Sequence, residues 1–470
     1  MSQPNIIYIL TDDMGYGDLS CYTAQQYQTK HIDRLADEGR LYTDAHSTSA
    51  VCTPSRYSIL TGRYCWRGPV KKGVLHGHDP SILEPNRETV ASYLKSYGYR
   101  TACIGKWHLG LGWAKDQHAP HGVDYTLPIQ DGPIDHGFDY FYGISASLDM
   151  PPYCFIENDR TVGIPSVPKD PVDFSQEGRD GFMVPGWKDE DVNSTLTEKA
   201  LDFIKQHDTE KEDPFFLYLS LTGPHTPWLP KTEFHDQSGV GPRGDLILEI
   251  DDTVGQILSL LEEKNMRENT MVIFTSDNGP DPCREEMTSY GHMSTAQWRG
   301  QKADIWEGGH RVPFIVSWPV RVPEGTVSHS LLSLSDLMAT CAAIVDGTLP
   351  QDAGEDSMSQ LSEMTGQTSA EPLRESIILH SFEGMLSLRK GDWKYIRGAG
   401  GGGFDLRDRS RIGIPHTDDR VVKPDDPQEQ LYQLVNDEEE RVNKIHDAPE
   451  KLLALSQELD ELIAAGRTRP

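Results

Sequence analysis

The chain has 470 residues and a formal net charge of −29, with 37% hydrophobic and 25% charged residues. This length suits one large domain plus a smaller one, and the composition is typical of a globular protein in water. The negative charge, which no Lys- or Arg-rich run offsets, argues against nucleic acid or a membrane as a partner, and no apolar run approaches the ~20 residues that span a bilayer.

Predicted strands and helices alternate along most of the chain. The predicted strands cover residues 5–10, 100–104, 215–221, 271–275 and 314–318. The predicted helices cover residues 31–38, 88–97, 196–207 and 245–264. This alternation predicts an α/β domain built on a doubly wound sheet flanked by helices. Residues 110–190 are rich in Gly, Pro and Asp, so we expect long surface loops there.

The pattern changes near residue 375. A strand at 376–380 precedes two paired antiparallel strands at 385–388 and 393–396, and a terminal helix covers 449–465. We therefore divide the chain into a large α/β domain, 1–375, and a small C-terminal α+β domain, 376–470, with a short antiparallel sheet.

The cysteines and the N-terminus bear on the cellular compartment. Seven cysteines are scattered without a C-x-x-C pair, which argues against a disulfide framework and a zinc knuckle but leaves isolated pairs open. The first four residues run directly into a predicted strand, so no signal peptide is visible. We expect a cytoplasmic protein by default, and a periplasmic or secreted one if the chain is a trimmed form.

Cys52 is the residue whose surroundings are most informative, in a segment that reads CTPSR. Pro54 suits the first position of a helix, which places Cys52 just before a helix N-terminus. Backbone N–H groups and the helix dipole favour an anion there, and Arg56 adds a positive charge. The segment therefore predicts an anionic group held against residue 52.

Four predicted strands are each followed by polar side chains that could bind a ligand or a metal. Open α/β sheets bind ligands beyond the carboxyl ends of their strands. Any one of these positions has an ordinary interpretation as a turn, but four together favour a site. The oxygen ligands among them predict Ca²⁺, with Mg²⁺ as the alternative. The side chains are Asp12, Asp13, Lys106, His108, His225, Asp277 and Asn278.

Several segments resemble the motifs of the type I sulfatases. Residues 52–63 (CTPSRYSILTGR) and 98–108 (GYRTACIGKWH) resemble that family's two signatures. Shorter similar segments lie at 12–17, 224–227, 276–279 and 299–309, in the expected order. The resemblance implies an alkaline-phosphatase-like mixed sheet flanked by helices. It also implies hydrolysis of a sulfate monoester.

The resemblance also assigns roles to individual residues. It implies that Cys52 is oxidised by a formylglycine-generating maturation enzyme to formylglycine, whose hydrate attacks sulfur with one hydroxyl and ejects sulfate through the other. The implied Ca²⁺ ligands are Asp12, Asp13, Asp277, Asn278 and the modified residue 52. Arg56 would hold the formylglycine, and Lys106 and Lys302 would bind sulfate oxygens. His225 would protonate the leaving alcohol, and His108 would be the base in the release step.

The implied substrate is a sulfated glycan, such as one with sulfated galactose or N-acetylgalactosamine, or a small sulfate ester. Aryl sulfates would be artificial substrates. His310 is a weak candidate for the substrate rim, and a loop histidine bonded to backbone is an equal alternative. Two other functions stay open. They are a phosphonate monoester hydrolase or phosphodiesterase on the same scaffold, and a non-catalytic glycan-binding homologue.

Overall fold

The computed structural model describes residues 3–119, 122–171, 177–207, 213–281, 284–367, 371–404, 422–423 and 425–470. Its α-helices are α1 (Lys30–Asp37), α2 (Cys52–Thr61), α3 (Val90–Ser96), α4 (Val192–Lys205), α5 (Pro242–Glu263), α6 (Arg284–Tyr290), α7 (Glu307–His310), α8 (Leu337–Ile344), α9 (Leu361–Met364) and α10 (Pro449–Ala464).

The main sheet has ten strands in the order β13-β2-β12-β11-β1-β10-β4-β5-β6-β7. These strands are β1 (Asn5–Thr11), β2 (Arg40–Tyr42), β4 (Arg100–Lys106), β5 (Tyr140–Ile144), β6 (Ile156–Glu157), β7 (Arg160–Thr161), β10 (Phe215–Ser220), β11 (Thr270–Ser276), β12 (Phe314–Ser317) and β13 (Thr326–Ser328). Two small ladders pair β3 (Ala45–His46) with β14 (Leu332–Ser333), and β8 (Val167–Lys169) with β9 (Gly181–Met183).

The central strands are apolar on both faces because helices cover both sides of the sheet. In β1, Ile6, Tyr8 and Leu10 pack with α2, α3 and α8. The alternate residues Ile7 and Ile9 pack with α1, α4 and α5. A strand buried on both sides needs this continuous apolar run, which is why its sequence lacks the alternation of a half-exposed strand. The predicted α/β sheet flanked by helices is confirmed.

The strands that carry the predicted site residues run parallel. Strand β1 pairs with β10 and β11, and β10 pairs with β4, all in parallel. Their carboxyl ends therefore lie at one edge of the sheet. Strand β12 runs antiparallel to β11, so the sheet is mixed. Strand β5, parallel to β4, and the short strands β6 to β9 fall in the region predicted to be loops, so that prediction was wrong over these five strands.

A second sheet follows the main one in the chain. It is antiparallel, in the order β15 (Ser376–His380), β16 (Leu386–Lys390), β17 (Trp393–Ile396) and β18 (Gln430–Gln433). One face packs with Leu455 and Leu459 of α10 and with Tyr64, and the other packs with Ile305 and Trp306. The predicted C-terminal antiparallel sheet and terminal helix are confirmed, and the boundary at 375/376 stays a prediction. Among the described residues, no helix combines the length and apolar character that crossing a bilayer requires.

Candidate active site

The site lies where α2 meets the carboxyl edge of the main sheet. Cys52 is the first residue of α2 and is 2% exposed, so the helix begins two residues before the predicted start at Pro54. The preceding residue, Val51, is extended and provides no side-chain cap. This leaves the helix N-terminus to interact with whatever lies beside residue 52.

The Cys52 thiol itself is poorly suited to act as a nucleophile. Burial raises its pKa to about 11, although the charges of Lys106 and Lys302 oppose that shift. Because the thiolate is the reactive form of cysteine, an unmodified Cys52 would be protonated and weakly nucleophilic at neutral pH.

Oxygen ligands converge beside Cys52. One ligand atom each from Asp12, Cys52 and Asp277 lies within 4.8 Å of the other two, and the same holds for Asp12, Asp13 and His225. Asp12 Oδ1 and Asn278 Oδ1 are buried and have no hydrogen-bond partner within the described part of the chain. Buried acceptors without partners are costly. A hard divalent cation such as Ca²⁺ would bind both of them, so the donor set fits the predicted metal.

Three cations balance the three buried carboxylates. Lys106 Nζ lies 2.5 Å from Asp12 Oδ2, and Lys302 Nζ lies 2.7 Å from Asp13 Oδ2. Arg56 Nε donates to Asp277 Oδ2 at 2.8 Å. All six side chains are at most 5% exposed. Since the lysines and the carboxylates share one pocket, this edge can hold a cation and an oxyanion side by side.

The local charges move the carboxyl pKa values apart. Burial would raise the pKa of Asp12, but the neighbouring Lys106 and His225 hold it below its ordinary value. Burial raises the pKa of Asp277 to about 6 even though Arg56 lowers it. The coupling of these groups reflects one shared, water-poor pocket.

His225 follows β10 and faces the acidic cluster. Its Nε2 lies 3.7 Å from Asp13 Oδ2. Its Nδ1 lies 2.7 Å from the carbonyl oxygen of Thr226, an arrangement that places a ring proton on Nδ1. The Nε2 atom, which faces the site, is then the position that can carry an exchangeable proton.

His108 is oriented the opposite way. Its Nε2 lies 2.7 Å from the Leu75 carbonyl oxygen and must donate to it. Burial and the nearby Lys106 hold the pKa of His108 well below its ordinary value. Its Nδ1 is buried without a hydrogen-bond partner among the described residues. His108 is therefore a neutral imidazole with one open acceptor nitrogen.

The structure brings nearly all of the predicted site residues together. His310 is the exception and corrects our interpretation of it as a rim residue. Its side chain is 0% exposed, and Nε2 lies 3.1 Å from the Ile305 carbonyl oxygen. Its Nδ1 lies 3.0 Å from His46 Nδ1. His310 ends α7, and its Nε2 bonds the backbone of Ile305 and lies 2.9 Å from Lys394 Nζ, so the backbone bond of the alternative is present but the residue is not in a loop.

Sequence reasoning missed several residues that hold the site in place. Ser147 Oγ lies 2.6 Å from Lys106 Nζ, and Ser220 Oγ contacts Arg56. Arg243 donates to the Asp13 carbonyl oxygen at 3.0 Å and also binds Asp18. Asp13 has a left-handed φ of 66°, and this contact from Arg243 fixes it. The sequence carried no signal for this role, because the burial of Arg243 appears only in the folded structure.

Comparison with known proteins identifies the class. The model of the sulfatase family matches residues 4–347. The chain belongs to the sulfatase family, and it is a sulfuric ester hydrolase.

The chain is similar to individual sulfatases over most of its length. The chain is 36% identical over 510 residues to an N-acetylgalactosamine-6-O-sulfatase of Bacteroides thetaiotaomicron, covering 99% of this chain and 94% of that protein. It is 34% identical over 375 residues to the human N-acetylgalactosamine-6-sulfatase, covering 76% of this chain and 65% of that protein. A solved Bacteroides thetaiotaomicron structure, from work on the metabolism of multiple glycosaminoglycans, superposes with a TM-score of 0.84 at 35% identity, covering 98% and 99% of the two chains.

Proposed function

We propose that this sulfatase removes sulfate from a sulfated sugar, with N-acetylgalactosamine 6-sulfate or galactose 6-sulfate as the best candidates. The observation that carries the chemistry is the pair of buried oxygens, Asp12 Oδ1 and Asn278 Oδ1, that make no hydrogen bond among the described residues, with Asp12 grouped beside Cys52 and Asp277. The choice of sugar is supported by the relatives that act on N-acetylgalactosamine 6-sulfate.

Different residues of the chain would contact the sulfate and the alcohol. Lys106 and Lys302 reach into the pocket from two sides and would bind the sulfate oxygens and stabilise charge on the transferring group. Arg56 holds Asp277 in place and offsets charge at residue 52. A sulfate bound there would leave its alcohol oxygen near His225, whose Nε2 would donate the proton. The open Nδ1 of His108 would accept a proton near residue 52 during release.

Two groups complete the proposed site. Ca²⁺ would be held by Asp12, Asp13, Asp277 and Asn278 and would supply positive charge to the sulfate and to the nucleophile. Formylglycine at position 52, hydrated by addition of water to its aldehyde, would supply two hydroxyls on one carbon, one for attack and one for release of sulfate. A separate maturation enzyme, using an external oxidant such as dioxygen, would make it from Cys52. Mass spectrometry of the residue 52 peptide tests this directly.

The activity is tested by a panel of defined substrates. Purified protein with Ca²⁺ is incubated with the 6-sulfates of N-acetylgalactosamine and galactose, their 4-sulfates, and 4-nitrophenyl sulfate, and released sulfate is quantified. We expect the highest kcat/KM with one of the 6-sulfates. Release from none of the sugar sulfates, with turnover of 4-nitrophenyl sulfate, would contradict the proposed substrate.

The two other functions are separated in the same assay. A phosphonate monoester hydrolase or phosphodiesterase would show a higher kcat/KM on matched phosphonate or diester substrates than on sulfates. A non-catalytic glycan-binding protein would keep an unmodified thiol at Cys52 in its native host and release no sulfate. Conversion of Cys52 together with sulfate release excludes the glycan-binding protein, and a higher kcat/KM on sulfates than on matched phosphonates and diesters excludes the other hydrolase.

A further inference from the structure

The loop that leaves β5 contributes side chains to the active site. Lys106 Nζ contacts Ser147 Oγ at 2.6 Å. Two residues further on, Asp149 Oδ1 lies 3.9 Å from His225 Nδ1. The loop therefore runs past the sulfate-binding lysine toward the histidine that faces the leaving alcohol.

Asp149 is held rigidly in this loop. Arg179 Nε lies 3.2 Å from Asp149 Oδ2, and the Arg179 backbone N–H donates to the Asp149 carbonyl oxygen at 2.9 Å. The Tyr153 hydroxyl lies 3.0 Å from the Asp149 carbonyl oxygen and 2.5 Å from that of Arg179. Gly178 has a φ of 76°, and a Cβ there would lie 2.8 Å from Asp149 Cα. These contacts fix one carboxylate oxygen and aim the other.

The aimed oxygen accepts no hydrogen bond from the described residues, and His225 Nδ1 at 3.9 Å is too far to donate one. Asp149 is 1% exposed, and its Oδ1 forms no hydrogen bond with any described residue. The His225 Nδ1 beside it is already committed to the Thr226 carbonyl oxygen at 2.7 Å. A buried carboxylate oxygen left without a donor costs free energy. A structure that orients such an oxygen and leaves it open indicates a ligand that brings the donor.

The position of Asp149 indicates which part of the ligand it would contact. His225 stands between Asp13, on its Nε2 side, and Asp149, on its Nδ1 side. The sulfate would lie with the metal ligands and lysines, so Asp149 lies on the side of the alcohol. An alcohol that donates to a buried carboxylate must carry a second hydroxyl, which sugars do and simple aryl or alkyl alcohols do not.

We propose that Asp149 accepts a hydrogen bond from a ring hydroxyl of the sugar being desulfated, and that Arg179 positions its carboxylate for this contact. This inference rests on the proposed function and names the feature by which the site would select sugar sulfates. Asp149 is then a specificity residue that touches substrate rather than a group acting through His225.

The test combines a variant with altered substrates. The wild-type enzyme and Asp149→Ala are assayed on N-acetylgalactosamine 6-sulfate and on its 3-deoxy and 4-deoxy analogues. We expect Asp149→Ala to lower kcat/KM on the parent roughly 10- to 150-fold, the range for a hydrogen bond to a charged group. One deoxy analogue should show a similar loss with the wild type and little further loss with the variant, because both changes remove one contact.

The controls guard against unfolding and against a general charge effect. Asp149→Asn keeps the shape and should lose less than Asp149→Ala on the parent sugar. Glu157→Gln removes a carboxylate that is 45% exposed in the same part of the chain and should leave kcat/KM within about 2-fold, as expected for an exposed charge. The Tm of each variant confirms that it is folded.

Three results would overturn the proposal. The first is that the wild type has the same kcat/KM on the parent sugar and on both deoxy analogues. This result is informative without any variant. Alternatively, Asp149→Ala lowers kcat/KM equally on the parent and both analogues. Finally, the variant shifts the pH profile of kcat, which would show action through His225. Failure of the wild type on every sugar sulfate contradicts the proposed function itself and is seen in a different arm of the experiment.

Discussion

Two buried clusters in this protein contain the same kinds of metal-ligating side chain and differ in how these are partnered. The first is the active-site cluster around Asp12, Asp277 and Cys52. The second, here called the anchoring cluster, joins α7 to β3, β16 and β17. Each contains carboxylate, histidine or cysteine ligand atoms within 4.8 Å of one another. The anchoring cluster consists of Asp44, His46, Glu307, His310, Arg311, Arg389, Lys394 and Glu440.

In the anchoring cluster the protein's own cations lie against the carboxylate oxygens, and Glu440 Oε1, which makes no hydrogen bond among the described residues, has Lys394 Nζ beside it. Lys394 Nζ lies 3.0 Å from Glu307 Oε1 and 2.9 Å from Glu440 Oε1. Arg311 lies 2.7 Å from Glu307 Oε2. The other Glu440 oxygen accepts the Glu307 backbone N–H at 2.6 Å. No strong acceptor in Glu307 is left for a cation, so this cluster fastens the second sheet to the main one.

The active-site cluster leaves acceptors open. Asp12 Oδ1 lies 3.7 Å from Arg56 Nη2 and makes no hydrogen bond within the described residues. Asn278 Oδ1 also makes no hydrogen bond within the described residues. The comparison shows that the number of ligand-type residues does not define a metal site. The distinguishing feature is how closely the protein's own cations approach the carboxylate oxygens: Lys394 Nζ lies 2.9 Å from Glu440 Oε1, whereas Arg56 Nη2 lies 3.7 Å from Asp12 Oδ1.

The largest expected effect is that of Cys52→Ala. Because residue 52 would supply the nucleophile, we expect the variant to lose at least about 10⁴-fold in kcat while its Tm stays close to that of the wild type. Cys341→Ala, which changes a buried thiol elsewhere, is the matched control and should retain activity. Activity of Cys52→Ala near that of the wild type would remove residue 52 from the mechanism.

The contrast between the clusters is tested most directly by carboxylate-to-amide changes. Asp277→Asn should lower Ca²⁺ affinity and activity at least about 100-fold, since it removes a charged ligand. Glu307→Gln should leave Ca²⁺ affinity unchanged. Activity after chelation and titration with Ca²⁺ measures both. If both variants required the same Ca²⁺ concentration for activity, the two clusters would not differ in Ca²⁺ binding.

His225→Ala separates proton transfer from the rest of the site. We expect a loss of about 10²- to 10⁴-fold on sugar sulfates, the usual contribution of a general acid. On 4-nitrophenyl sulfate the loss should be under about 10-fold, because that leaving group needs little protonation. The exposed His235→Ala serves as control. Similar losses on both substrates would show that His225 is not the acid.

Lys394→Met should act on stability rather than chemistry. Removing the shared cation leaves Glu307 and Glu440 buried without it, and breaking such a pair costs roughly 3–5 kcal/mol. Denaturant unfolding measures this. Lys390→Met, which changes a lysine that is 40% exposed on the neighbouring strand, should change the free energy of unfolding by less than about 1 kcal/mol. A stable Lys394→Met would mean that the anchoring cluster does not hold the second sheet.

The smallest expected effect concerns pH. Burial raises the pKa of Glu440 to about 7 against the opposing charge of Lys394. The folded protein therefore binds this proton more tightly than the unfolded chain does, and stability falls as pH rises through that range. Glu440→Gln should reduce the fall in Tm between pH 5 and pH 8 by about a few °C. Glu439→Gln, at an exposed neighbour, should not. An unchanged pH dependence in Glu440→Gln would contradict the raised pKa.

The elements with strong local signals were predictable. Strand β1 is a continuous apolar run closed by Asp12 and Asp13, and α5 has a long amphipathic pattern, so both were predicted within a few residues. Strand β5 was missed because its segment, YFYGI, is short and lies among Gly, Pro and Asp residues. Its strand character comes from pairing with β4, a contact that the local sequence does not contain.

The sequence by itself predicted an anion and metal site, because carboxylates, a lysine and histidines directly follow predicted strands, and the class of chemistry was implied by the resemblance of residues 52–63 and 98–108 to the sulfatase signatures. The sequence assigned His225 to the site but left His310 with two interpretations, a rim residue or a loop histidine. His310 and His225 both follow glycine-containing segments, yet one is bonded within the anchoring cluster and the other faces Asp13. Only the tertiary structure decided this, and with it the open oxygen of Asp149, because whether a polar atom has a partner depends on residues far away in the chain.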